Sequence, residues 1–358
     1  MFVFNILLFS AATSMLVLRC ILFPKTIIAS CSSNFTELTM LGAVPIAWYA
    51  IVSQASRGPN HRYEARARAN RAQIGLTAST TSWGGRSLFL VAYAGWWVGT
   101  AIMVTVATLV IIVVSKTSIV TSDTLGPTMV LPFVGTATGA VVGALIVSRS
   151  SDVDARLAIP VILVSYILAG IGFFAGLMIY GAYFVKLINT GLPPPDKTPG
   201  LILLVAPAGQ SAAAALALGN ASQLFFGTYN RGSFLQGSAG NTLATLGVLF
   251  ALMFVGLGLM FAAFAIYIII ETAFKRQHKY SLIWWATIFP MATLNIAWIE
   301  LAKNLDSPTF RVLATISLLL LLIDYFINWA FTLRDVYTGK LLSGRRPENV
   351  ANRRTKAY

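Results

Sequence analysis

The sequence predicts an all-α integral membrane protein of about nine membrane-crossing helices, and three observations carry that class. Apolar residues make up 57% of the 358 and charged residues only 11%, a balance outside that of soluble globular domains. Mean hydropathy is +0.75. Stretches of about 20 mostly apolar residues, enough for a helix to cross a hydrocarbon core of roughly 30 Å, recur from one end of the chain to the other. So much apolar surface has nowhere to hide in water, and the bilayer is the solvent it fits.

In order, the predicted spans are 2–23, 38–54, 88–115, 126–148, 158–187, 200–222, 242–272, 281–302 and 309–333. The first is a retained helix rather than a secretory signal, because it lacks a basic start and carries Arg19 where a small-residue cleavage site would stand. The second contains Pro45, and a polar insertion over 55–87, rich in arginine, separates it from the third. The fourth carries Pro132 and the run Gly135-Thr136-Ala137-Thr138-Gly139. Pro160 sits at the start of the fifth, where a helix tolerates it. The sixth has Pro207 followed by Gly209-Gln210-Ser211, and the eighth has Pro290. The first, third, seventh and ninth have no internal proline. Residues 1–340 thus read as one transmembrane domain, and 341–358 as a basic tail.

A net charge of +14 would suggest nucleic acid in a soluble protein. Here Lys and Arg fall almost wholly in loops and tail, so topology explains them and no nucleic-acid partner is expected. The loop set on the side of the C-terminus holds more of them, which predicts a cytoplasmic C-terminus. The insertion, with Arg57, Arg62, Arg66, Arg68, Arg71 and Arg86, then falls outside, against the local trend. Cys20 and Cys31 have no metal-ligand spacing and there are two histidines, so no metal or other cofactor is expected. An intramembrane enzyme would need a His-Glu-x-x-His, Gly-x-Ser-x-Gly or paired-aspartate arrangement at membrane depth, and none is seen.

Proline in every second span suggests a repeated two-helix hairpin whose second member is kinked. A kink frees backbone groups that lipid cannot satisfy, so kinked helices belong against protein or a watery path. The expectation is that Pro45, Pro132, Pro207 and Pro290 mark inward helices lining a path, with the other spans as a lipid-facing ring. The competing reading is a solid bundle with bent helices and small residues at close contacts. Candidate lining groups are the hydroxyls and amides of Thr136, Thr138, Gln210, Ser211, Thr287 and Asn295. No Lys or Arg lies at the centre of these spans, so an anion would meet only dipoles and neutral donors. Glu300 can serve proton coupling or pair with Lys303 at the interface, and Asp324 is expected to cap or pair locally, with Arg311 as one partner.

Several segments together resemble the tellurite-resistance/dicarboxylate transporter superfamily, which includes fungal sulfite efflux pumps, malate transporters and plant slow anion channels. They are Gly42-Ala43-Val44-Pro45, Trp96-Trp97, Val130-Leu131-Pro132, Leu192-Pro193-Pro194 leading to Ala206-Pro207-Ala208-Gly209-Gln210, Trp284-Trp285 through Phe289-Pro290-Met291, and Phe310-Arg311-Val312-Leu313. The resemblance implies ten helices in five hairpins around a central pore, in each protomer of a homotrimer in the plasma membrane. It implies that the first family helix is absent here, the first span resembling the second. It also implies that Phe289 is the aromatic plug of the pore. Sulfite efflux is the leading expectation. A C4-dicarboxylate (malate) transporter or anion channel, and a truncated inactive or regulatory subunit, stay open beside it.

Overall fold

Association of helices within a bilayer gains little from the hydrophobic effect, so it depends on close approach at small residues and on hydrogen bonds between helices. Both devices run through this chain. The computed structural model describes residues 2–55, 85–117, 120, 125–150, 153–278 and 280–340. Nearly all of the 55–87 insertion and the whole 341–358 tail lie outside the described residues.

The helices are α1 (Phe2–Leu22), α2 (Pro24–Ser33), α3 (Phe35–Met40), α4 (Ala43–Ala55), α5 (Gly85–Thr117), α6 (Leu131–Arg149), α7 (Ala155–Thr190), α8 (Val205–Tyr229), α9 (Gly237–Phe274), α10 (Ile288–Asn304) and α11 (Pro308–Tyr337). Turns of 3₁₀ helix at Pro127–Val130, Pro195–Leu204 and Leu282–Thr287 lead into α6, α8 and α10. Among the described residues nine segments are long and apolar enough to cross a membrane, and each coincides with a predicted span. The chain is an integral membrane protein built from helices.

The inner helices follow one another by direct packing, α4 on α6, α6 on α8 and α8 on α10. Outside them, α5 bridges α4 and α6, α7 bridges α6 and α8, α9 bridges α8 and α10, and α11 packs on α10. Burial differs along the inner series. In the spans holding α6 and α8, 94% of the apolar window is buried, against 39% in those holding α4 and α10. Among the described residues α10 does not pack substantially on α4, so the inner helices form an arc with two covered members and two half-covered ends.

Three of the outer helices, α5, α7 and α11, are each tied to a neighbouring element by an aromatic polar tip. The Trp96 indole of α5, fully buried, donates to the Gly139 carbonyl of α6 at 2.8 Å. Tyr166 of α7 lies 3.1 Å from the Ser222 hydroxyl of α8, and Trp285 donates to Thr332 of α11 at 2.9 Å. Buried tyrosine and tryptophan need such partners. The other faces of the outer helices carry lipid-exposed side chains such as Ile102, Ile167, Met178, Met253 and Leu320.

Glycine sets the closest approach. A Cβ at Gly209 would lie 2.8 Å from the backbone nitrogen of Leu294, and closer still to the Thr293 hydroxyl, so α8 and α10 meet there only because the side chain is absent. Gly209→Ala is expected to lower stability by about 1–3 kcal/mol, the cost of forcing an extra carbon into a packed contact. Thermal unfolding in detergent checks this, with Gly170→Ala, which meets nothing within 4 Å, as the unaffected control.

Candidate functional site

All four marker prolines fall in the first turn of their helices. Pro132 is the second residue of α6, and Pro45, Pro207 and Pro290 are the third residues of α4, α8 and α10. The sequence places them well inside apolar stretches and suggests kinks at the prolines. The structure instead puts the interruption just before them, where a 3₁₀ turn, or for α4 the short α3, gives way to α-helix. The physical reason is that a first-turn proline lacks only an N–H that would be orphaned anyway. Val130, Leu204 and Thr287 at the junctions keep right-handed helical angles, with ψ of −24°, −19° and −29°. The rods change winding without leaving helical space.

The junctions lie side by side. The α3 helix packs on the Pro127–Val130 turn, that turn packs on Pro195–Leu204, and Pro195–Leu204 packs on Leu282–Thr287. Gly42, between α3 and α4, comes so close to Pro132 that a Cβ there would be 2.9 Å from its Cα.

The junction before Pro207 has a further polar contact. The Tyr180 hydroxyl of α7 reaches the first turn of α8, donating to Leu204 O at 2.7 Å and accepting from Ala208 N at 3.2 Å.

Beyond the junctions the inner helices carry a polar belt. Gln210 of α8 donates through Nε2 to the Thr138 hydroxyl of α6 at 2.8 Å, and Thr138 in turn donates to its own Val134 carbonyl at 2.8 Å. The Gln210 Oε1 is buried without a partner, as are Asn295 Oδ1 and the indole N–H of Trp298 on α10. Asn295 and Trp298, three residues apart, share a face of α10. Gly209 abuts Thr293 and Leu294, which brings the neighbouring Gln210 and Asn295 to a common level. Gln210, Asn295 and Trp298 are 4%, 4% and 7% exposed. Buried polar atoms are normally satisfied, so three open valences on adjoining helices make this the place where a polar guest would be held.

Not every predicted lining residue joins the belt. Thr136 is wholly buried and donates to its own Phe133 carbonyl at 2.7 Å. Ser211 is buried beside Gln210. Thr287 sends its hydroxyl toward α11, 2.6 Å from Asp324 Oδ2 and 2.7 Å from the Trp284 carbonyl. Phe289 is partly buried in the first turn of α10, at the margin of the second core cluster. Glu300 lies at the other end of α10, 2.8 Å from Lys303 Nζ and 4.0 Å from an Arg149 guanidinium nitrogen of α6, so the interfacial pairing with Lys303 is present. The Arg311 partner expected for Asp324 is engaged by Asp306 instead.

Trp298 and Tyr180 are the residues that sequence reasoning missed. The first shares the i, i+3 face of Asn295, a signal that could have been read. The second depends on α7 lying against the α8 junction, which no spacing in the sequence announces.

A family model for the voltage-dependent anion channel matches residues 1–333. The chain is 26% identical over 252 residues to the sulfite efflux pumps of Arthroderma benhamiae and Trichophyton rubrum, a match covering 70% of this chain and 64% of each relative's length. It is 24% identical over 233 residues to the malic acid transport protein of Schizosaccharomyces pombe, covering 62% of this chain and 50% of that protein. The chain therefore spans under two thirds of the length of the curated relatives it matches. The match over nearly the whole of this chain, together with proline-marked helices alternating with a lipid-facing set, places it in the voltage-dependent anion channel family.

Proposed function

We propose that this chain carries small anions across the plasma membrane, sulfite outward from the cytoplasm in the first instance, along a path walled by α4, α6, α8 and α10. It acts as a channel or transporter and not as an enzyme. The observation that carries the reading is the belt of Gln210, Asn295 and Trp298, buried side chains each with one polar atom left without a partner, on the inner helices of an anion-channel family member. The Trp298 indole can only donate, and the two side-chain amides can turn either their NH₂ or their oxygen toward a guest. Among the described residues the middle of these helices holds no Lys or Arg. Neutral donors bind an anion weakly, which suits passage better than capture. Arg149 and Lys303, at the ends of α6 and α10, supply positive charge at one mouth.

In this reading the C-terminus is cytoplasmic, and three copies assemble as a homotrimer, each with its own path. A malate-type C4-dicarboxylate substrate is the second reading, supported by the likeness to the Schizosaccharomyces pombe protein. The belt offers no cationic clamp for a second carboxylate, which favours sulfite.

Proteoliposome flux of sulfite and malate tests both. Trp298→Phe keeps an aromatic ring but removes the donor, and is expected to lower anion flux roughly tenfold, the effect of losing one hydrogen bond of about 1.4 kcal/mol. Malate flux exceeding sulfite flux would select the second reading. Flux of neither anion, from protein that is folded and inserted, would move the chain to an inactive or regulatory role.

A further inference from the structure

Asp324 lies within the membrane-spanning α11, where Leu320, Leu322, Ile323, Phe326 and Ile327 around it are exposed to lipid. Its carboxylate is held by neutral donors only. The Thr287 hydroxyl is 2.6 Å from Oδ2, and the Asn328 amide donates to Oδ1 at 2.9 Å and to the Asp324 backbone carbonyl at 3.0 Å. Asn328 is 1% exposed, and its own carbonyl accepts from the Tyr280 hydroxyl at 3.0 Å. Among the described residues no Lys, Arg or His forms an ion pair with Asp324. Ionisable groups on the elements packed against it are otherwise engaged or distant. Glu300 and Lys303 pair at the far end of α10, Arg311 and Asp306 pair before the first turns of α11, and Tyr325 turns its ring to Trp285 and Trp329. His278, ahead of the 3₁₀ turn, bonds back to Thr272 and faces the Trp284 ring, and Arg334 and Asp335 stand near the end of α11.

An ionisable side chain at membrane depth is costly and marks function by default. This one grips a particular place. Thr287 is the last residue of the 3₁₀ turn, two positions before Phe289 and three before Pro290. We propose that Asp324 is a proton-binding site whose occupancy sets the hold of α11 on the junction carrying Phe289. Ionised, Asp324 accepts charge-assisted bonds from Thr287 and Asn328, roughly twice the strength of neutral ones. A proton taken from solvent onto Oδ2 makes that oxygen the donor to Thr287 Oγ1, whose own proton then goes to the Trp284 carbonyl, so a neutral bond of about half the strength replaces the charge-assisted one between α11 and the junction. The junction loosens as pH falls, and conduction rises. This coupling rests on the anion-transport reading, while the proton site itself does not.

The experiment uses the full chain reconstituted in liposomes. Infrared difference spectra on acidification should show a carboxylic acid carbonyl band that Asp324→Asn removes and Thr287→Val retains at a shifted midpoint. Chloride flux, whose ion keeps one charge at every pH tested, should rise severalfold in the wild type on acidification. It should stay at the acid level throughout in Asp324→Asn and in Thr287→Val. Hydrogen exchange over Leu282–Ile288, compared at neutral pH, should be faster in Asp324→Asn. An infrared band that survives Asp324→Asn, or a wild-type pH response retained by that variant, would overturn the proposal. If no variant carries chloride, sulfite or malate, the transport reading fails by itself, and the infrared band and the exchange rates still decide the proton site and its grip.

Discussion

Phe289→Ala is expected to raise anion flux by about tenfold or more, equivalent to lowering a conduction barrier by about 1.4 kcal/mol. The family resemblance implies that Phe289 is an aromatic plug, and its surroundings are compatible with the part. It occupies the first turn of α10 immediately before Pro290, at a 3₁₀-to-α junction, and it is only partly buried. A ring wedged in a solid core would instead lose several kcal/mol of stability on truncation, about 3–5 for a fully buried phenylalanine. The two outcomes separate cleanly. A plug gives more flux with a modest loss of stability, whereas a packing residue gives a large loss of stability with no gain in flux. Chloride and sulfite flux, read beside thermal unfolding of the same preparation, checks both. An unchanged flux in stable protein would remove Phe289 from the gate. Thr287, joined to Asp324 two residues earlier, offers an independent handle on the same junction.

Much of this architecture was legible in the sequence because bilayer thickness is a strict filter. Apolar length alone located nine spans, and the alternation of Pro45, Pro132, Pro207 and Pro290 separated an inner set from an outer one. What stayed hidden depends on which side chain lies opposite in a neighbouring helix. The hydroxyl that meets the Pro207 junction belongs to Tyr180, which lies in another span. Asp324 was assigned a neighbour along its own helix and has one in Asn328, yet its hydroxyl donor comes from Thr287, just before α10. Thr136 and Thr138 look equivalent in the sequence, two small hydroxyls in one glycine-rich run. Only Thr138 meets a partner across the helix interface, because Gln210 stands there. The equal standing of the four inner spans was also too simple, since α6 and α8 have neighbours on every side and α4 and α10 do not.

Tyr180→Phe is expected to destabilise the protein by about 1–3 kcal/mol, from the loss of two buried hydrogen bonds worth about 0.5–1.5 kcal/mol each. The hydroxyl bridges Leu204 O and Ala208 N in the buried first turn of α8. Pro207 cannot help, because it has no N–H to offer the preceding turn. One turn along the same helix, Tyr183 supplies the control. Its hydroxyl is buried without a partner, so Tyr183→Phe removes an unsatisfied group and should be neutral or stabilising. Identical chemistry at two neighbouring positions therefore predicts opposite signs, and thermal unfolding of the two variants side by side reads them. Equal and small effects would mean that the α8 backbone holds the junction without the hydroxyl. A loss of stability confined to Tyr180→Phe would show instead that α7 fixes the first turn of α8 through one phenolic oxygen.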